Sequence, residues 1–160
     1  MTDTKISEEV FVKTVEEAKN LFYYLAYSIL LNEQDAEDAV SEMILNTWER
    51  RSHLRDPKKL KRWMQNTVLN IAKTMLKKKK QFVLYDRIPE SSYEEETDDL
   101  WSLLVELDVK ERTVIYMRYY EGYSQKEIGE ILHIPEGTVK SRLHKAKKNL
   151  RKIMGGIRNG

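Results

Sequence analysis

"IPEGTVKSRLHKAKKNLRK", Ile134 to Lys152, opens on a proline and a glycine and then becomes a run whose polar positions are nearly all basic. Val139, Leu143, Ala146, Leu150 and Ile153 recur at i, i+4, i+7, i+11 and i+14, one apolar stripe at helical period. That stripe faces a core. The other side carries Lys140, Ser141, Arg142, His144, Lys145, Lys147, Lys148, Arg151 and Lys152, and Glu136 is the last acid before the chain end. Immediately upstream, in "YSQKEIGEILHI", Ser124 and Glu127 have the S-x-x-E spacing of a capping box, with Tyr123 and Ile128 as its hydrophobic staple. A short helix therefore starts at Ser124, with Ile128, Ile131 and Leu132 inward. Pro135 is tolerated at the start of the next helix because a first-turn N–H has no partner there.

Two helices joined by a turn of about three residues form a helix-turn-helix. In that geometry the second helix lies in a DNA major groove, its N-terminal residues at base edges and its orphan N–H groups near phosphate. Gly137 permits close backbone approach, Thr138 and Ser141 can bond phosphates or bases, and Arg142 suits the bidentate guanine contact. A merely solvated basic face is the competing reading, and the capped partner helix weighs against it.

The chain has 160 residues, enough for one domain or two small ones, and its net charge of +2 conceals a block structure. Arg50 to Lys80 holds twelve Lys and Arg against one acid, a net of +11. Pro89 to Asp108 has eight acids and no Lys or Arg, and Glu136 to Gly160 has a net of +7. Two basic blocks around an acidic one suggest two nucleic-acid-facing surfaces, and both carry apolar stripes that disordered tails lack.

The absence of cysteine fits a reducing cytosol and excludes thiolate zinc sites. His53, His133 and His144 lack metal-ligand spacing, so no metal and no cofactor is expected. "LFYYLAYSILL", Leu21 to Leu31, is too short to span a bilayer and its acidic upstream flank is wrong for a signal peptide, so it reads as a core helix and no membrane insertion is expected.

Ser7 to Ala18 places Val10, Phe11, Thr14 and Val15 on one side and runs into that apolar stretch, and Asn32 to Gln34 breaks the pattern. "DAEDAVSEMILNTWE" then sets Ala36, Ala39, Val40, Met43, Ile44, Thr47 and Trp48 on one face and Asp35, Asp38, Glu42 and Glu49 away from it. "RRSHLRDPKK" is a loop, since Asp56-Pro57 disfavours helix at the preceding residue. Leu60, Met64, Val68, Ile71, Ala72 and Met75 form the buried stripe of a helix ending in Lys77 to Lys80, whose other side shows Arg62, Asn66, Asn70, Lys73 and Lys77. Phosphate-binding cations are there mixed with amides that can read bases. Residues 81–97 lack periodicity and read as an acidic linker; about sixteen residues can span roughly 50 Å, more than the ~35 Å of one DNA turn. "DDLWSLLVEL", "VKERTVIYMRYY" and the helix-turn-helix make a four-helix unit. No strand pattern persists, so the expected fold is all-α: a helical domain over 1–80, the linker over 81–97 and a helix-turn-helix domain over 98–160.

This order of parts resembles the RNA polymerase sigma factors of the small, two-domain extracytoplasmic-function type. "DAEDAVSEMILNTW" looks like the family's acidic helix, "RWMQNTVLNIAKTMLKKKK" like its promoter-melting helix, and "YSQKEIGEILHIPEGTVKSRLHKAKKNLRK" like its C-terminal DNA reader. The resemblance covers roughly Ser7 to Lys152. It implies that Asp35, Asp38 and Glu42 dock on the clamp helices of core RNA polymerase. By the same resemblance the loop Ser52, His53, Leu54, Arg55 holds an extruded base of the minus-ten element, while Asn70 and Lys73, with Arg62 and Asn66, bind the separated strand. Extrusion costs a few kcal/mol, so a preformed pocket and backbone charge are needed to offset it. Thr138, Lys140, Ser141, Arg142 and Lys145 would read the minus-thirty-five element of promoter DNA. The acidic linker would thread the polymerase's RNA exit path, and an anti-sigma factor is implied as a partner. Trp48 and Trp63 are assigned to the core. Ser41 and Ala39 depart from the family pattern on the polymerase-docking helix, and Thr67, Leu69 and Thr74 depart from it on the melting helix, so no minus-ten sequence carries over.

The expected function is accordingly non-enzymatic and cytoplasmic: a promoter-specificity subunit. A free-standing regulator binding duplex DNA as a dimer would leave Arg50 to Lys80 unexplained. A metal-dependent nuclease would need clustered carboxylates, whereas Asp35, Asp38 and Glu42 lie along one exposed face without a histidine.

Overall fold

Three long helices account for most of the first unit. The computed structural model describes residues 6–83 and 99–159 and divides the chain into two compact units, Met1–Ile88 and Pro89–Gly160. Helix α1, Glu8–Leu30, starts where the Ser7 side chain accepts from Val10 N at 3.2 Å, with Glu8 and Glu9 in the first turn where the helix dipole favours negative charge. It ends at Leu31, a non-glycine residue in the left-handed region (φ 50°) whose N–H bonds Tyr27 O. Asn32 at once caps α2, Glu33–Glu49, by accepting from Asp35 N at 2.8 Å. The expected break at Asn32 to Gln34 therefore shrinks to Leu31 and Asn32, because an αL residue followed by an Asn cap reverses the chain in two residues.

α3, Leu60–Val83, follows two short 3-10 turns, Arg51–His53 and Pro57–Lys59, and the Asp56 carboxylate caps the second by accepting from Lys58 N at 3.0 Å. α1 packs on both α2 and α3, and these on each other. Two partners explain why the apolar stretch of α1 is buried nearly all round: Leu21, Phe22, Leu25, Ala26, Tyr27, Ile29 and Leu30 all lie inside. They meet Ala36, Ala39, Val40 and Met43 of α2 and Leu60, Met64, Val68, Leu69 and Ala72 of α3. Each large side chain so buried contributes about 1.5–3 kcal/mol, and Leu25→Ala would cost about 2–5 kcal/mol. Val10, expected inward with Phe11, is instead exposed, and Leu69, absent from the expected stripe of α3, is buried.

α3 runs three residues past Lys80, into the segment assigned to the linker, since lysine is a good helix former and no Gly or Pro intervenes. The rest of that linker, 84–97 with Glu94, Glu95 and Glu96, lies outside the described residues.

In the second unit α4, Asp99–Leu104, precedes α5, Val109–Ile115, which Asp108 caps by accepting from Glu111 N at 2.9 Å. α5 continues into one π-helical turn, Tyr116–Tyr120, and the chain then turns at Gly122 (φ 77°), a conformation that glycine adopts without strain. α6, Gln125–Leu132, and α7, Glu136–Asn159, complete the unit, and α7 is the element against which α4, α5 and α6 all pack. Its core joins Trp101, Leu104, Val114, Tyr116, Met117, Ile128, Ile131, Val139, Leu143 and Ala146. The Trp101 and Tyr116 rings stack at 5.4 Å, and the Tyr116 hydroxyl donates to the Glu121 carboxylate. Among the described residues there is no strand, so the fold is all-α, and none of their helices is long and apolar enough to cross a membrane.

Candidate nucleic-acid interface

α6 begins with both halves of the expected capping box: Glu127 N donates to Ser124 Oγ at 3.1 Å and Ser124 N to Glu127 Oε1 at 3.2 Å. It ends at His133 in the left-handed region (φ 55°), and only His133, Ile134 and Pro135 separate it from α7. The turn is tight enough that a Cβ on Gly129 would lie 2.8 Å from Ile134 O. Gly129 was not singled out from the sequence; an isolated glycine inside an amphipathic helix is the signal that marks it. Pro135 O takes the first bonds of α7, from Thr138 N at 3.0 Å and Val139 N at 3.2 Å, so the ring sits just outside the helix where it removes no bond.

Val139, Leu143 and Ala146 are buried as the stripe requires, while Leu150 and Ile153 are half-buried. Of the candidate readers, Lys140, Ser141 and Lys145 are exposed and Thr138 and Arg142 half-buried. Ser141 Oγ donates to Thr138 O at 3.2 Å, which orients its hydroxyl along the helix edge. Lys145 Nζ lies 4.0 Å from Glu111 Oε1, a contact between elements that the sequence did not disclose. Beside this face Tyr119 is exposed, with Arg118 and Lys147 over its ring at 5.9 and 5.3 Å.

In the first unit, Ser52, His53 and Arg55 are exposed and Leu54 half-buried. The start of their loop is pinned by Arg51, whose guanidinium lies 3.7 Å over the Trp48 ring and donates to Trp48 O at 2.7 Å. Trp48 in turn meets Phe11 edge-on at 5.0 Å. Both Trp48 and Trp63, expected in the core, are half-buried, since each must cover the core edge while its helix stays partly solvated. Arg62, Asn66, Asn70 and Lys73 share one side of α3, the first two half-buried and the last two exposed. The Asn66 side-chain oxygen is buried without a hydrogen-bond partner among the described residues, an omission that costs about 1–3 kcal/mol.

Asp38 and Glu42 are exposed on α2, with Leu45 exposed beside them. Asp35 departs from the expectation of a free acidic face: it is half-buried and its Oδ2 lies 2.8 Å from Lys79 Nζ on α3. The extension of α3 beyond its apolar stripe carries Lys79 there. Asp38 accepts from Gln34 Nε2 at 3.0 Å. Among the described residues no group of His, Cys, Asp and Glu is arranged to hold a metal.

Two family models match the chain: Sigma-70 region 2 over residues 14–82 and Sigma-70, region 4 over residues 97–150. The RNA polymerase sigma factor SigV of Bacillus subtilis is 30% identical, the match covering 94% of this chain and 95% of that protein. The ECF RNA polymerase sigma factor SigW of the same organism is 29% identical over 92% of this chain and 90% of its own length. Among solved structures, the sigma factor RpoE in complex with the anti-sigma factor NepR from Bartonella quintana superposes with a TM-score of 0.74 at 19% identity, covering 91% of this chain and 96% of that one. CnrH in complex with the cytosolic domain of CnrY gives 0.70 at 19%, covering 94% and 90%.

Proposed function

The chain belongs to the extracytoplasmic-function sigma factors of RNA polymerase, and from that premise we propose how its residues divide the work of promoter recognition. It directs promoter-specific transcription initiation and supplies no chemistry of its own, acting in the cytoplasm with core polymerase. The observation that carries the assignment of residues is the second unit's reader: a doubly capped α6 and a glycine-tight turn hold α7 so that its apolar stripe is buried and Lys140, Ser141 and Lys145 are left outward. Thr138, Lys140, Ser141, Arg142 and Lys145 read the minus-thirty-five element, Arg142 through the two acceptors of a guanine.

In the first unit Ser52, His53, Leu54 and Arg55 receive the extruded minus-ten base. Arg62, Asn66, Asn70 and Lys73 hold the strand beside it, the cations on phosphate and the amides on base edges. The Asn66 oxygen supports this role, because it is buried without a hydrogen-bond partner among the described residues and would lose no bond by turning toward a base. Asp38 and Glu42 meet core polymerase, joined by Asp35 once Lys79 releases it. The segment over 84–97 threads the polymerase's RNA exit path, and, as for the sigma factor bound to NepR, an anti-sigma factor holds the chain when it is idle.

Reconstitution with core polymerase, followed by sequencing of transcript starts, tests the proposal. Starts that share paired upstream elements are expected, and each reader variant should shift them. Tight, polymerase-independent binding to a symmetric operator, with no association with core, would replace it with a dimeric regulator.

A further inference from the structure

Glu111 is a buried carboxylate that the assignments above leave without a task. It is 4% exposed, on the first turn of α5, where Asp108 fixes its own N–H and the helix dipole favours its charge. Its Oε1 accepts from Asn149 Nδ2 at 2.9 Å and lies 4.0 Å from Lys145 Nζ, and Lys145 and Asn149 stand one turn apart on α7. Asn149 therefore locks the carboxylate's orientation, and the locked carboxylate draws on the lysine. Lys145 remains 70% exposed along its side chain, so DNA can still reach the ammonium.

We propose that Glu111 is a positioning residue for DNA reading, which aims Lys145 at a base edge and withholds it from the phosphate backbone. This rests on Lys145 being a minus-thirty-five reader. The physical reason is competition. A lysine is a compact, mobile point charge that would otherwise settle on the nearest phosphate, a contact without sequence information. A fixed negative charge behind it satisfies much of that attraction from within the protein and repels a phosphate brought to the same place. The remaining N–H donors are then best used on the groove floor.

The test uses the full chain assembled with core polymerase, on duplex promoters with the intact or a scrambled minus-thirty-five element, over 50 to 200 mM salt. Glu111→Gln keeps the shape and an acceptor for Asn149 but removes the charge. It should lower the intact-to-scrambled affinity ratio about fivefold and steepen the salt slope by about 0.9, the signature of one further phosphate neutralised. In a Lys145→Ala background the same change should do neither, because the two residues act as a pair. A purely structural Glu111 would weaken both duplexes alike and leave the slope alone. Glu111→Asp, which retains the buried charge but draws it back by a methylene, is the second variant, and it should move ratio and slope in the same direction. Wild-type ratio and slope in both Glu111 variants, or equal effects with and without Lys145, would overturn the proposal. A wild-type ratio in Lys145→Ala alone would overturn the reader assignment beneath it.

Discussion

Substitutions at Gly129 probe the point where α6 and the turn into α7 come closest. A Cβ added there would stand 2.8 Å from Ile134 O, 3.6 Å from Glu136 N and 3.7 Å from Glu136 Cα, all backbone atoms. The first of these is roughly half an ångström inside ordinary contact. Ile134 O cannot retreat alone, because Ile134 N is bonded to Gly129 O at 3.0 Å and the next residue, Pro135, accepts the first bonds of α7. Alanine must therefore displace the turn, a cost of about 1–3 kcal/mol that its gain in helix propensity of up to about 1 kcal/mol does not cancel, so Gly129→Ala should lose about 1–2 kcal/mol. Valine adds two further carbons on a stiff χ1 with no side chain nearby to give way. Gly129→Val should lose about 2–3 kcal/mol, a fall in Tm of roughly 8–24 °C for a unit of this size, and should weaken minus-thirty-five binding further by tilting α7. Calorimetric melting of the two variants, with promoter binding by the reconstituted polymerase, measures both effects. If both variants melt within a few degrees of the parent and bind as well, the turn is not held by this approach and the account of the helix-turn-helix geometry fails.

Arg142→Ala should cost about 1–3 kcal/mol of promoter binding and relax preference at a single position; an equal loss on every sequence would assign Arg142 to phosphate alone. Lys73→Ala should slow open-complex formation more than it weakens closed-duplex binding, and matched losses in permanganate footprinting and gel-shift assays would remove its strand-separating role. Lys79→Ala frees Asp35 from its 2.8 Å partner. The folded state should lose no more than about 1 kcal/mol, since both groups are partly solvated, while core-polymerase affinity should rise severalfold; unchanged affinity by titration would mean that the pair does not compete with docking. The Tyr23 phenol is pushed up from 10.0 to about 12, first by burial and then by Glu33, Tyr27, Glu37 and Tyr24. Because the folded value is the higher, its contribution to stability is intact below pH 10 and is lost as pH climbs toward 12. Denaturant midpoints across that window should fall less in Tyr23→Phe than in the parent, and identical curves would refute the assignment.

What could be read from the chain alone was whatever is encoded between residues a turn or so apart. The stripe Val139, Leu143, Ala146 and the box Ser124 to Glu127 are local, and their partners lie three or four positions away, so the helix-turn-helix is legible in the sequence. The end of α3 is not legible for the converse reason: a lysine run is a change of charge and not a stop signal, and the helix continues to Val83. The two carboxylate contacts join residues far apart in sequence, Asp35 with Lys79 and Glu111 with Lys145 and Asn149, and no periodicity announces a meeting that depends on how helices pack. Those contacts bear on the roles proposed above. Counting cations in the basic blocks treats every lysine as available to phosphate, yet Lys79 and Lys145 each face a carboxylate of the protein itself. The salt dependence of promoter binding should therefore be shallower than the charge blocks suggest, and the difference is a measure of how much of that charge serves aim and docking in place of bulk attraction.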